Sequence, residues 1–311
     1  MIAVLYPAQD ARLDPLARVL NRSLLEWHLA LLKRHGFNEV IVTGFRELST
    51  FADAARRVAD YWRVTLDYHQ TWLPADLGEI HPETGLLCLE LNHIYDGDLS
   101  ALLRAHAENR NGLTLAAPQD PVFASASDSP GGSSRPPLIL NAGVAQRIAS
   151  VYRPKNLGTL LYVDELQDAV RLDGETIQLV RTPADWSPVY QGYDLFYANQ
   201  SLVFSGRPPL REIEIAPRVY VGCDSQVHET ARLEGPLVIG ERCFIGPHAQ
   251  VGPGVIVEDD SYLCGGVLLH EALIERGGFL RPGQTLRYGI FFKKRAWQLP
   301  MPPQSPRSLA G

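Results

Sequence analysis

The side chains best equipped for chemistry in this chain of 311 residues are scattered rather than clustered. Four cysteines stand at Cys88, Cys223, Cys243 and Cys264, with no Cys-x-x-Cys pair among them. A structural zinc site needs paired ligands at short spacing. These thiols therefore read as small core or corner residues, reduced in a cytoplasmic protein. Three histidines, His228, His248 and His270, fall in the C-terminal third. Imidazole is the commonest general base near neutral pH, so each must be weighed as a proton carrier.

Composition bounds the elements that could position such groups. Hydrophobic residues make up 45% and charged residues 21%, with 29 basic against 35 acidic side chains for a net charge of −6. That balance excludes a disordered chain and a nucleic-acid partner bound through a broad basic face. No apolar run reaches the length of a membrane span, so no membrane partner is expected. The opening Met1-Ile2-Ala3-Val4-Leu5-Tyr6 has no basic leader, which points to a cytoplasmic location. The 26 glycines are uneven: thirteen lie in residues 1–206, none of them before Gly36, and thirteen in the last 105.

The late glycines belong to a repeat. Ile215, Val221, Val227, Leu233, Ile239, Ile245, Val251, Val257, Leu263 and Leu269 are ten aliphatic residues in steps of six. Neither a helix nor a strand has that period, whereas a hexapeptide β-helix does. The region resembles a left-handed parallel β-helix of the hexapeptide-repeat family, with a little over three coils. Acyltransferases of that family use a histidine as base beside a loop extruded from a coil. Ten unbroken hexads contain no such loop, so acyl transfer is the least favoured reading of the three histidines. The prism reads better as an assembly element, pairing with a protein partner or a second copy. Residues Leu286–Arg295 read as its cap and Leu299–Gly311 as a mobile tail.

Upstream, strand and helix alternate. Ile2–Tyr6, Glu39–Gly44, Val64–Tyr68, Leu86–Leu91, Leu113–Ala117 and Leu138–Asn141 read as strands. Ser23-Leu24-Leu25-Glu26 is a capping box opening a helix that ends near Gly36. Thr50–Tyr61 and Leu99–Asn109 are further helices, and Ser125–Pro137 is a loop. The pattern is that of an α/β fold with a parallel-dominated sheet. Three regions result: an α/β domain over residues 1–206, the β-helix over 207–285, and a cap with tail over 286–311.

Four segments carry a resemblance that joins these regions. They are Ser23–Val40, Asn92–Leu99, Leu140-Asn141-Ala142-Gly143-Val144 and Trp186–Asn199. They are similar to the first helix and second strand, the metal segment, the sugar-binding turn and the closing segment of sugar-1-phosphate nucleotidylyltransferases. The type that resembles this chain most is the mannose-1-phosphate guanylyltransferase, which carries a C-terminal β-helix. The resemblance implies a Rossmann-like nucleotidyltransferase domain and a reaction joining a nucleoside triphosphate to a sugar 1-phosphate, with release of pyrophosphate.

That reaction crowds two phosphate groups together, so it needs a glycine-rich loop, a cation and carboxylates holding Mg²⁺. The loop Pro7–Arg18 has no glycine and no lysine, and it carries Asp10 and Asp14. Arg12 is the vestigial phosphate contact the resemblance leaves there, and a local ion pair is the simpler use of it. The two metal positions fall on His93 and Pro188, neither of them a carboxylate. Asn141 and Gly143 remain as sugar contacts. The family's base-and-sugar stretch is replaced by Leu73–Gly78, and Arg135-Pro136-Pro137 stands where a Glu-Lys pair is expected. The expectation is a catalytically degenerate nucleotidyltransferase, needing no cofactor and binding a sugar nucleotide or sugar phosphate as a regulatory or scaffold subunit. The alternative is an active enzyme whose Mg²⁺ is held by Asp96, Asp98 or Asp194.

Overall fold

Short apolar runs separated by amphipathic segments build a seven-stranded sheet in the N-terminal two-thirds of the chain. The computed structural model describes residues 1–7, 16–43, 48–69, 80–109, 111–118, 136–151, 163–182, 185–190, 192–206 and 208–299. In chain order the elements are β1 (Ile2–Tyr6), β2 (Arg18–Val19), β3 (Arg22–Ser23), α1 (Leu24–Arg34), β4 (Glu39–Thr43), α2 (Leu48–Trp62) and β5 (Thr65–His69). There follow β6 (Gly85–Glu90), β7 (His93–Asp96), α3 (Ser100–Asn109), β8 (Leu113–Pro118), β9 (Leu138–Asn141) and α4 (Ala142–Val151). Last come α5 (Val163–Leu172), β10 (Ile177–Thr182), β11 (Asp185–Pro188) and α6 (Gly192–Ser205). Two compact units result: Met1–Ala17 with Ser23–Gln191, and Arg18–Arg22 with Gly192–Gly311. Composition had marked a boundary at residue 206, whereas α6 groups with the second unit.

The sheet order is β10-β8-β9-β6-β1-β4-β5. β6, β1, β4 and β5 run parallel, as do β8 and β10, while β9 lies antiparallel between β6 and β8. β6 is buried along its whole length and β1 from Ala3 to Tyr6, which is why both read as unbroken apolar runs. The N-cap half of the capping box forms, with Ser23 Oγ accepting from the Glu26 amide at 3.2 Å. Outside the main sheet, β7 and β11 pair as a separate antiparallel ribbon.

The second unit is a three-faced β-helix. One face stacks Gln226–Val227, Phe244–Ile245, Tyr262–Leu263 and Phe279–Leu280 in parallel register. The aliphatic member of each pair enters the prism and the other faces out, so Phe244, Tyr262 and Phe279 stack ring on ring at 4.5 and 5.6 Å. At Gly252 (φ +117) a Cβ would run into the Glu234 carbonyl of the preceding coil, so the corner demands glycine. Ile215 is a correction to the repeat. It lies on Ile213–Ala216, antiparallel to Val219–Val221, and is 59% exposed, because the chain has not yet entered the prism. The expected cap is part coil, part hairpin. Thr285–Phe292 continues the stack in parallel, and Arg295–Gln298 folds back on it. Of the expected tail, Leu299 is buried and residues 300–311 lie outside the described residues. No helix among the described residues is long and apolar enough to cross a membrane.

A buried ion cluster anchors Arg18–Arg22 to this unit. Arg22 donates to Glu212 at 3.0 Å and Glu241 at 3.1 Å, and Arg18 donates to Asp259 at 2.8 Å. The Leu20 amide donates to Asn199 on α6 at 2.8 Å. Burial raises the carboxyl pKa of Glu212, and it pushes that of Glu258 from an ordinary 4.5 up to about 7, against the attraction of Arg18. A raised carboxyl pKa means the folded state holds its proton more tightly than the unfolded chain. Stability from this group is therefore highest below pH 4.5 and falls as pH rises towards 7. Glu258→Gln keeps an acceptor for the Arg276 amide, now bonded at 3.0 Å. Denaturant unfolding should show it more stable than the parent at pH 8, by on the order of 3 kcal/mol, with no difference at pH 4. An equal gain at both pH values would contradict this assignment.

Candidate functional site

Parallel strands end together at one edge of a sheet, and in open α/β sheets that edge forms the ligand crevice. Here β1 ends at Tyr6 and β6 at Glu90, after which the chain turns through Asn92 into β7. Glu90, Asn92 and His93 are fully buried. His93 Nδ1 lies 3.2 Å from Glu90 Oε1. Tyr95 stacks on the His93 ring at 5.7 Å and Tyr190 meets it edge-on at 5.4 Å. The Tyr95 phenol oxygen accepts from the Glu90 amide at 3.0 Å, and burial raises its pKa. From α1, His28 packs against Tyr95, with Nε2 3.1 Å from the Glu90 carbonyl and Nδ1 2.7 Å from that of Leu24. Burial lowers the His28 pKa to about 4 despite both carbonyls, so it is neutral at pH 7 and donates to one of them.

Ribbon register places His93 opposite Pro188. The two positions that the resemblance assigns to metal carboxylates thus face each other, as ligands of one ion would have to. A hard cation such as Mg²⁺ takes oxygen ligands. Pro188 has no side-chain donor, and His93 Nδ1 is turned to Glu90. Among the described residues no three His, Cys, Asp or Glu side chains gather as a metal site. His93 and Pro188 do not fit the ion.

The other candidates lie on several different elements. Asp96 closes β7, in register with Asp185. Asp98 caps α3: its Oδ1 accepts from the Ser100 amide at 2.8 Å, and the hydrogen bonds from Ser100 hold its carboxyl below the usual range. Asp194 sits in the first turn of α6, in the other unit. Asn141 pairs with Gly85 at the start of β6, whereas Glu90 ends that strand, about 17 Å away at the usual rise. Asn141 Oδ1 accepts from the Gly143 amide at 3.0 Å, and that amide also donates to the Pro82 carbonyl at 2.8 Å. A Cβ on Gly143 would press on Pro82 at 3.0 Å. The structure gives this turn the work of opening α4 and does not bring it to His93. Arg12, Leu73–Gly78 and Arg135 lie outside the described residues. On the β-helix, His228 bonds Thr230 at 2.9 Å, His248 occupies a left-handed corner (φ 58) and His270 is exposed.

Residues 236–271 match the family described as bacterial transferase hexapeptide (six repeats). No curated protein matches the chain. Among solved structures, the chain is similar to a protein from Bacillus anthracis designated a glucose-1-phosphate thymidylyltransferase and solved in complex with sucrose. Identity is 12% and the TM-score 0.51, over 64% of this chain and 93% of that one. The fold is that of a sugar-1-phosphate nucleotidyltransferase, with a hexapeptide-repeat β-helix at its C-terminal end.

Where β6 turns into the ribbon, a buried carboxyl and imidazole lie side by side among aromatic rings. Sequence reasoning reached His93 and Pro188 but passed over Glu90 and His28. The signal for Glu90 was a lone charge between Leu89 and Leu91 in an apolar run. For His28 it was a place four residues after Leu24, on the buried stripe of α1. Removing one partner of a buried polar pair is more harmful than replacing both, because it leaves the other unsatisfied. His93→Leu should cost about 1–3 kcal/mol or more, and Glu90→Leu added to it should recover most of that loss. Denaturant unfolding of both singles and the double closes the cycle; additive losses would show that the two groups do not act as a pair.

Proposed function

We propose that this chain is a nucleotidyltransferase that has lost catalysis and serves as a sugar-nucleotide-binding, regulatory or scaffold subunit in sugar-nucleotide or polysaccharide metabolism. One observation carries the reading: across the β7–β11 ribbon, a histidine sealed against Glu90 and a proline occupy the facing metal positions. Joining a nucleoside triphosphate to a sugar 1-phosphate requires strong neutralisation of phosphate charge. A neutral proline and a buried imidazole supply none of it. The sheet, the helix caps and the repeat meanwhile keep the order that a binding domain needs. In this role the protein requires no metal.

The β-helix fits the assembly part of this function. Its first coil leaves Val221, Val227 and Leu233 only partly buried, with Ile213 and Ile215 exposed beside them. An open prism end of this kind suits a second copy or a partner enzyme. Thermal shift against nucleoside diphosphate sugars, with and without Mg²⁺, tests the binding role. A ligand at a hundred times its Kd should add about 2.7 kcal/mol of stability, and the shift should not depend on Mg²⁺. A panel in which no sugar nucleotide or sugar phosphate raises the midpoint would contradict the proposal.

A further inference from the structure

From Arg276 onward the chain carries seven basic residues and no acidic one, so the 275 residues before it hold 22 basic against 35 acidic. A chain of net charge −6 therefore ends in a segment of the opposite sign. Arg276 is engaged with Asp260 at 2.8 Å. Among the described residues no carboxylate forms an ion pair with Arg281, Arg287, Lys293, Lys294 or Arg295, and all five are exposed.

The last coil gathers these cations with apolar side chains. In the closing hairpin Phe292 pairs with Arg295 and Ile290 with Trp297. Partners across an antiparallel ladder share a face, as do alternate residues along a strand. Ile290, Phe292, Arg295 and Trp297 therefore stand on one face, while Phe291 on the other is buried in the prism. Phe292 is 46% and Trp297 56% exposed. Lys293 and Lys294 form the turn, and the Lys293 ammonium lies 5.2 Å above the Phe292 ring. Beside the turn is a cavity of about 610 Å³, lined by Phe279, Arg281, Gln284 and Lys294 together with Glu275, whose carboxylate accepts from the Lys293 amide. Phe279, the last ring of the aromatic stack, is 55% exposed at its rim.

We propose that this end of the β-helix docks on the surface of an anionic phospholipid membrane. Trp297, Phe292 and Ile290 enter the headgroup layer while Lys293, Lys294, Arg295 and Arg281 engage lipid phosphates. Aromatic side chains favour that interface, and basic residues are drawn to its negative potential. A nucleic acid or soluble polyphosphate would satisfy the cations but give the exposed Phe292 and Trp297 side chains no apolar phase. The contact is peripheral and needs no spanning helix. Whole-chain composition, which gave no reason to expect a membrane partner, averages two regions of opposite charge.

Co-sedimentation of the full chain with vesicles tests the proposal. Binding is expected to phosphatidylcholine vesicles containing phosphatidylglycerol and not to pure phosphatidylcholine, and it should weaken as salt rises. Reversing Lys293, Lys294 and Arg295 to Glu should lower partitioning about tenfold or more. Trp297→Ser, which leaves the charge unchanged, should also lower it, with an unaltered circular dichroism spectrum. No binding to the anionic vesicles, or undiminished binding by both variants, would overturn the proposal. Capture of heparin or an oligonucleotide through these residues, without vesicle binding, would overturn it in favour of a soluble polyanion.

Discussion

A carboxylate carried to the end of a buried strand must find a partner in the protein, because water cannot reach it. At the carboxyl edge of this sheet Glu90 meets His93, and much of the local architecture follows from that requirement. The β7–β11 ribbon has to hold His93 inward, and Tyr95 and Tyr190 close around its ring. His28 closes the far side from α1. A metal-binding carboxylate makes the opposite demand, since it must stay open to an ion and a substrate.

The second unit solves a different problem, that of ending a solenoid. Each coil buries its aliphatic residue against the next, so the interior is continuous from Val219 to Leu286. Its two ends are unlike. The first coil is bordered by exposed isoleucines, while the last closes in a hairpin rich in cations and rings. Arg18–Arg22 is held to this unit by buried ion pairs to Glu212 and Asp259. Such pairs specify a single arrangement more than they raise stability.

How much of this was legible in the sequence varied with the range of the interactions. The hexad run predicted the prism because each coil repeats one local requirement; it failed only at Ile215, where the chain is still outside the coil. The capping box at Ser23 and the apolar runs of β1 and β6 were equally plain, being local or buried on both sides. Helices α4 and α5 and strand β10 were not marked, because each is short and depends on neighbours distant in sequence. The Asn141-Ala142-Gly143 turn was legible as residue types but not as a place. The three residue types suggested a sugar contact, while their place at the start of α4, at the far end of β6 from Glu90, is fixed only by strand pairing. Glu90 and His93 were visible as letters three apart; their partnership required knowing that β6 turns back into the ribbon.

On the proposed function, this crevice no longer transfers a nucleotidyl group. Pyrophosphate release, measured with several nucleoside triphosphates and sugar 1-phosphates in the presence of Mg²⁺, tests it most directly. Release should be no faster with the protein than without it. Protein-dependent release that disappears on Asp96→Ala, Asp98→Ala or Asp194→Ala would contradict it, and would place an active metal site where the described structure gathers none.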